Sequence, residues 1–215
     1  MAIRRTPGNE APGPSGTPSV YPPREDTFLL LPFAAVPPGT RVLEVGTGSG
    51  AVALAAARAG GRVVATDRNL AALRQLRTVS LRERLDVTPV RTDLAAGLGR
   101  FDRVFANPPY LPTSPEAADP DPGTRLALDG GPDGCRVLDR IVADLPGHLG
   151  EGGVAFVVVS SVQSSEGLRR IRASWHEGGG SLEVVATRDL EGEQLSVWKL
   201  EPRTSVRDRP TAPGL

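Results

Sequence analysis

RVLEVGTGSG, residues 41–50, joins a short apolar run to a loop with glycine at every second position. Val42, Leu43 and Val45 crowd a segment too short for a helix, and such a run reads as a strand. Gly46, Gly48 and Gly50 then let the chain turn sharply and let a ligand approach the backbone closely. AVALAAARAG (51–60) is long enough for a crossover helix, and RVVAT (62–66) repeats the strand pattern. A strand, a glycine-rich turn, a helix and a second strand make a parallel unit, because parallel neighbours need a crossover of this length.

The alternation continues outward. NLAALRQLRTVSLRE (69–83) reads as the second crossover helix, followed by strand runs at DVTPV (86–90) and DRVFA (102–106). VLDRIVADLPGHL (137–149) precedes GVAFVVVS (153–160), a further crossover falls near 165–177, and SLEVVATRDL (181–190) and EQLSVWKL (193–200) lie close enough to pair antiparallel. The expected fold is therefore α/β and Rossmann-like: a mostly parallel seven-stranded sheet that ends in an antiparallel hairpin, with helices on both faces. The apolar pattern bounds one domain at 20–201. Residues 1–19 and 202–215, broken by glycine and proline, read as loose tails.

Composition narrows the function. The 215 residues hold 25 Lys plus Arg against 25 Asp plus Glu, so no net field draws the protein to a nucleic-acid backbone or an anionic membrane. Cys135 is the single cysteine, and His148 and His176 are the two histidines, which excludes a disulfide framework and a zinc ligand cluster. The first residues lack the apolar run of a signal peptide, and no stretch approaches the roughly 20 apolar residues of a membrane helix. A cytoplasmic location is expected.

Acids mark three consecutive strand ends. Glu44 precedes the glycine loop, Asp67 stands 21 residues after Gly46, and Asp93 with Leu94 follows the third strand. A carboxylate at the Asp67 position suits the two hydroxyls of an adenosine ribose. Three acids together would repel a pyrophosphate and attract a ligand carrying sulfonium and ammonium charge, which favours S-adenosylmethionine over a dinucleotide. Read singly, each acid also suits a helix cap, and the glycine loop alone fits a ligand-free turn.

The fourth strand runs into Asn107-Pro108-Pro109-Tyr110. Two prolines remove two backbone donors and stiffen the corner, leaving carbonyl groups free to accept. The Asn107 side-chain oxygen and the Pro108 carbonyl together match the two donors of a planar NH2 group, and Tyr110 supplies a flat wall that needs no hydroxyl. Such a corner would align a poorly nucleophilic nitrogen for methyl transfer.

With YPPREDTFLLL (21–31), EVGTGSG (44–50), Asp93-Leu94 and NPPYLPTSPE (107–116), the sequence resembles the HemK-type class I methyltransferases over about residues 20–200. It is most similar to the compact archaeal and eukaryotic branch, which methylates the glutamine amide of a Gly-Gly-Gln motif in class I release factors. The resemblance implies that Thr27, Glu44, Gly46, Asp67, Asp93, Leu94 and Asn107 line the S-adenosylmethionine pocket, beside Gly48 and Gly50 of the loop, and that Asn107, Pro108 and Tyr110 hold the substrate amide. It also implies that Leu128–Gly134 is the glycine-rich stretch preceding the next helix. Seven prolines between 108 and 132 shape the segment between as a substrate-binding wall.

Two departures stand out. Arg24 in Pro22-Pro23-Arg24 replaces a small residue of the family pattern, and the N-terminal docking domain of the bacterial branch is missing from these 215 residues. Docking is therefore expected to use the core or a partner, such as the small zinc-binding activator that archaeal and eukaryotic relatives pair with a sheet edge; Pro89 would blunt such pairing at 86–90. Methylation of a nucleic-acid base shares the same corner, but charge neutrality and the lack of a base-extracting domain count against nucleic acid. A different protein, peptide or small-molecule nitrogen, and a cofactor-binding scaffold without catalysis, are the remaining alternatives. Arg169–Arg172, Cys135 and both histidines are expected to be structural.

Overall fold

A computed structural model describes residues 20–114 and 119–203, which hold seven strands and six α-helices. The strands are β1 (Arg41–Val45), β2 (Arg62–Asp67), β3 (Val87–Arg91), β4 (Phe101–Ala106), β5 (Leu149–Ser160), β6 (Ser181–Leu190) and β7 (Glu193–Glu201). The helices are α1 (Glu25–Leu30), α2 (Ala51–Arg58), α3 (Leu70–Glu83), α4 (Pro122–Leu128), α5 (Arg136–His148) and α6 (Ser165–Glu177). The tail expectations for 1–19 and 204–215, and the last two residues of NPPYLPTSPE, lie outside the described residues.

The strands form one sheet in the order β3-β2-β1-β4-β5-β7-β6. β1 through β5 run parallel, while β7 pairs antiparallel with both β5 and β6. The chain starts at β1, moves out to β3, then returns to add β4 on the other side of β1, with Val45 beside Ala106. That reversal opens a crevice at the carboxyl ends of β1 and β4, the position where open α/β sheets hold ligands. It brings the glycine loop and the Asn-Pro-Pro-Tyr corner together.

Both faces of the sheet are covered. On β4 the buried side chains of Val104 and Phe105 point to opposite faces, as the two-residue period of a strand requires. Phe105 packs with Leu30 of α1, Val52, Ala53 and Ala56 of α2 and Leu76 of α3. Val104 packs with Leu138, Ile141 and Leu145 of α5 and with Ile171 and Trp175 of α6.

Two elements depart from the sequence reading. β5 begins at Leu149, not Gly153, and the pairing with β4 shifts register between Phe101 and Arg103; Gly152 at φ +66 lets the strand absorb that irregularity. The proline-rich wall contains a helix, α4, that apolar periodicity does not announce. Asp121 caps it by accepting from the Thr124 N–H at 2.7 Å, and Pro122 occupies its first turn. At the sheet edge, the Val63 N–H donates to the Asp86 carbonyl at 2.9 Å. The alternation that follows turns residues 88 and 90 toward β2 and leaves Pro89, with no N–H, on the open side of β3.

Candidate active site

The loop after β1 is held from within. Glu44 is buried, and one carboxylate oxygen accepts both from the Thr47 hydroxyl and from the Ala53 N–H in the first turn of α2, the latter at 3.0 Å. The Thr47 N–H donates to the Thr66 carbonyl, and the Gly50 N–H to the Thr47 carbonyl, each at 2.8 Å. Gly46, Gly48 and Gly50 all take left-handed backbone, at φ +70, +49 and +79. Burial pushes the Glu44 carboxyl up to about 7, against the opposing pull of its bonds from Thr47 and Ala53.

From this loop a cavity of about 400 Å³ extends along the carboxyl edge. Thr27, Glu44, Gly46, Gly48, Asp67, Asp93 and Leu94 line it, as do Asn107, Pro108 and Tyr110. Gly50 does not; it caps the start of α2, where a Cβ would sit 2.9 Å from Leu76 Cδ1. Asp67 accepts from the Gly48 N–H at 2.9 Å and the Asn69 N–H at 2.7 Å, leaving lone pairs available on both oxygens. Leu94 is held at φ +52, an uncommon conformation for a branched residue, and its side chain packs on the α5 side of the core.

The three acids are not electrically equivalent. Glu44 faces its own loop, and Arg140 of α5 reaches Asp93 at 2.6 Å; that hydrogen bond holds the Asp93 carboxyl below its ordinary value. The attraction for a cationic ligand inferred from three like charges therefore rests mainly on Asp67. Arg140 reaches Asp93 across 47 residues, so the pairing leaves no local signal in the sequence.

At the end of β4 the situation is different. Asn107 Oδ1 is buried and has no hydrogen-bond partner among the described residues. Pro108 is buried beside it, and Tyr110 is 7% exposed. The glycine-rich stretch straps the back of this corner: the Leu111 and Thr113 N–H groups donate to the Leu128 and Gly131 carbonyls, and Gly130 donates back to Leu111. A Cβ on Gly134 would fall 2.4 Å from the Tyr110 carbonyl oxygen, so only glycine permits that approach. The Tyr110 hydroxyl, expected to be idle, donates to Asp26 Oδ2 at 3.2 Å.

Around the mouth lie residues that sequence reasoning did not single out: Tyr21, Asp26, Arg68, Asn69, Leu126 of α4 and Arg140. Tyr21 and Asp26 stand within the quoted YPPREDTFLLL, and the Asp121-Pro122 capping signal marks α4; Arg68, Asn69 and Arg140 carry no local signal of a place in the site. Arg24 places its guanidinium 5.2 Å from the centre of the Tyr21 ring, with a buried Nε that has no hydrogen-bond partner among the described residues. Cys135 is fully buried, and burial pushes its thiol up to about 11. His148 and His176 stand in the last turns of α5 and α6, their Nδ1 atoms 3.2 Å and 3.0 Å from the Gly99 and Gly180 carbonyls. In the Arg169–Arg172 segment Ile171 is buried, Arg170 lies near Asp133 and Asp139, and Arg172 lies over Trp198.

A sheet that reverses beside a glycine loop, ends in an antiparallel hairpin and carries Asn-Pro-Pro-Tyr after its fourth strand defines an S-adenosylmethionine-dependent class I methyltransferase. Residues 25–119 match the family described as methyltransferase small domain. The chain is 33% identical over 189 residues to a putative protein N5-glutamine methyltransferase of Methanocaldococcus jannaschii, an alignment covering 85% of this chain and 93% of that relative. It is 36% identical over 188 residues to the release factor glutamine methyltransferase of Mycolicibacterium smegmatis, covering 81% of this chain and 65% of that longer protein. Among solved structures, the E. cuniculi Mtq2–Trm112 complex, responsible for methylation of the eRF1 translation termination factor, matches with a TM-score of 0.65 and 27% identity over 85% of this chain and 98% of the matched chain. The chain belongs to the protein N5-glutamine methyltransferase family.

Proposed function

We propose that the protein methylates the side-chain amide nitrogen of a glutamine presented in the Gly-Gly-Gln motif of a release factor. The observation that carries this reading is Asn107 Oδ1, a buried acceptor at the edge of the cavity without a hydrogen-bond partner among the described residues. A buried acceptor left bare destabilises the fold by about 1–3 kcal/mol, and an arriving N–H donor relieves that penalty. The Pro108 carbonyl takes the second amide hydrogen, and together the two bonds hold the nitrogen in one orientation and draw it out of conjugation. Tyr110 forms the wall for the planar group. Glycines on the substrate side allow its backbone into so narrow a corner.

The residues present fit S-adenosylmethionine. Asp67 has lone pairs left for ribose hydroxyls, Gly46 and Gly48 expose backbone at the turn, and Thr27, Glu44, Asp93, Leu94 and Asn107 complete the enclosure. When bound, that cofactor supplies an electrophilic methyl group on sulfur. The likeness to the Mtq2–Trm112 complex supports a small activator subunit as partner, although the β3 edge, with Pro89 on its open side, gives an added strand few donors.

The test is mass spectrometry of the Gly-Gly-Gln peptide after the whole factor is incubated with protein and cofactor, with and without an activator subunit. A mass gain of one methyl on the glutamine is expected, and duplex DNA in parallel should gain none. A methyl on a base, a lysine or an arginine overturns the substrate while leaving the cofactor assignment standing.

A further inference from the structure

Across the cavity from the loop, Tyr110 and α1 meet at Asp26. Asp26 accepts from the Thr27 N–H at 2.6 Å and from the Thr27 hydroxyl at 3.3 Å on one oxygen, and from the Tyr110 hydroxyl at 3.2 Å on the other. Asp26, Thr27 and Tyr110 all line the cavity. Residues 84 apart in sequence are thus joined at the place where the cofactor side and the substrate side of the pocket adjoin. We infer that Asp26 is a positioning residue for amide methylation, acting through the Tyr110 hydroxyl to fix the ring that walls the substrate nitrogen.

The physical reasons are these. A tyrosine ring turns about two soft torsions, and packing against a glycine-rich strap restrains the backbone more than the ring tip. A phenol O–H donates close to the plane of its ring, so an acceptor held at one place beside the ring tip favours one ring orientation. The carboxylate is itself fixed by two bonds from Thr27, so the constraint passes from the first turn of α1 to the ring. Misplacement of a reacting group by a fraction of an ångström is enough to slow an aligned transfer, whereas ground-state binding, spread over many contacts, is less sensitive. The effect should therefore fall on kcat and spare KM.

This inference rests on the glutamine reading for its kinetic arm alone. In the full-length protein, Asp26→Ala and Tyr110→Phe should each lower kcat on the release factor by about tenfold, with KM and cofactor affinity within about threefold of the parent. The double variant should be no slower than either single one, because both remove the same bond. Asp26→Asn keeps its oxygen for the two Thr27 donors and turns its NH2 toward the Tyr110 oxygen, so a reversed bond still ties the ring and most of the rate should return. Effects that multiply, or an Asn variant as slow as the Ala variant, overturn the proposal. A second arm needs no substrate. The chain has two tyrosines, so ring-labelled NMR with Tyr21→Phe for assignment isolates Tyr110. Its ring signals should move further in Asp26→Ala than in Asp26→Asn; unmoved signals in Asp26→Ala also overturn the proposal, whatever the substrate proves to be.

Discussion

The corners after β1 and β4 lie side by side, yet they treat their polar groups in opposite ways. Glu44 is buried and doubly bonded to its own loop, Asp67 ties down Gly48, and the backbone between closes on itself. Asn107, just past the neighbouring strand, keeps a buried oxygen with no donor among the described residues. The first corner is a finished scaffold whose shape does not await a ligand. The second holds an incomplete hydrogen-bond set, a local destabilisation that the proposed function accounts for by a donor arriving with the substrate. Changes in the first corner should therefore show in stability and affinity, and changes in the second in rate.

The largest effect separates the two most sharply. Asn107→Ala should slow methyl transfer at least about a hundredfold in single turnover, the scale seen when an oriented hydrogen-bonding group is removed from a reacting centre. Thermal stability of the cofactor-free protein should hold or rise, since the substitution deletes an unsatisfied buried acceptor. An Asn107→Ala protein that transfers methyl at the parent rate, or that keeps its rate and loses stability, would place Asn107 among the scaffold groups.

The parent sequence shows both corners but not their difference. Strand runs such as RVLEV and SLEVVATRDL match the observed strands to the residue, because apolar runs bounded by turn residues are a local property. Asn107-Pro108-Pro109-Tyr110 was legible because its chemistry is contiguous. Which acid is neutralised was not legible. Arg140 meets Asp93 and Asp26 meets Tyr110 only after the sheet has assembled, and no periodicity encodes a pair 47 or 84 residues apart. α4 escaped for a different reason: proline-rich composition hid a seven-residue helix whose cap is local but whose apolar stripe is short.

Asp67 belongs to the scaffold corner yet keeps free lone pairs, so it should lie between the extremes. Asp67→Ala should weaken S-adenosylmethionine binding by about 1–3 kcal/mol in calorimetry, through lost charge-assisted bonds and a loosened Gly48. The transfer rate at saturating cofactor should change far less than in Asn107→Ala. Unchanged affinity would move the ribose contact to another strand end.

Glu44 gives a pH test of the same corner. An unfolded glutamate releases its proton near its ordinary value of 4.5, whereas buried Glu44 keeps its proton until about 7. Between those values the folded protein binds more protons than the unfolded chain, so stability should fall as pH rises through that window and level off above it. The decline assigned to this group should be on the order of 1–2 kcal/mol between pH 5 and 7. Comparing melting temperatures across pH with Glu44→Gln, which cannot ionise, isolates it. Parallel profiles for the two proteins would show that Glu44 does not titrate in that range.

The smallest expected effect asks whether the loop is scaffold throughout. Gly50 lies outside the cavity lining, has φ +79 and precedes α2, so its glycine serves the turn and not the ligand. Alanine there meets two penalties of different kinds. Left-handed backbone costs an L residue about 1–2 kcal/mol, and the new Cβ approaches Leu76 Cδ1 at 2.9 Å. Leu76 can yield, because the contact is at the tip of a flexible side chain, so the backbone term should dominate. Alanine also restricts the unfolded chain, which offsets part of the loss. Gly50→Ala should therefore lower stability by about 1 kcal/mol. Gly50→Asn should be milder on the backbone term, because asparagine tolerates the left-handed region better than alanine. In both variants the single-turnover rate of the folded, cofactor-saturated enzyme should match the parent. A rate loss in Gly50→Ala comparable to that of Asn107→Ala would mean that the loop positions the reacting atoms directly, and the division between a finished corner and an open one would fail.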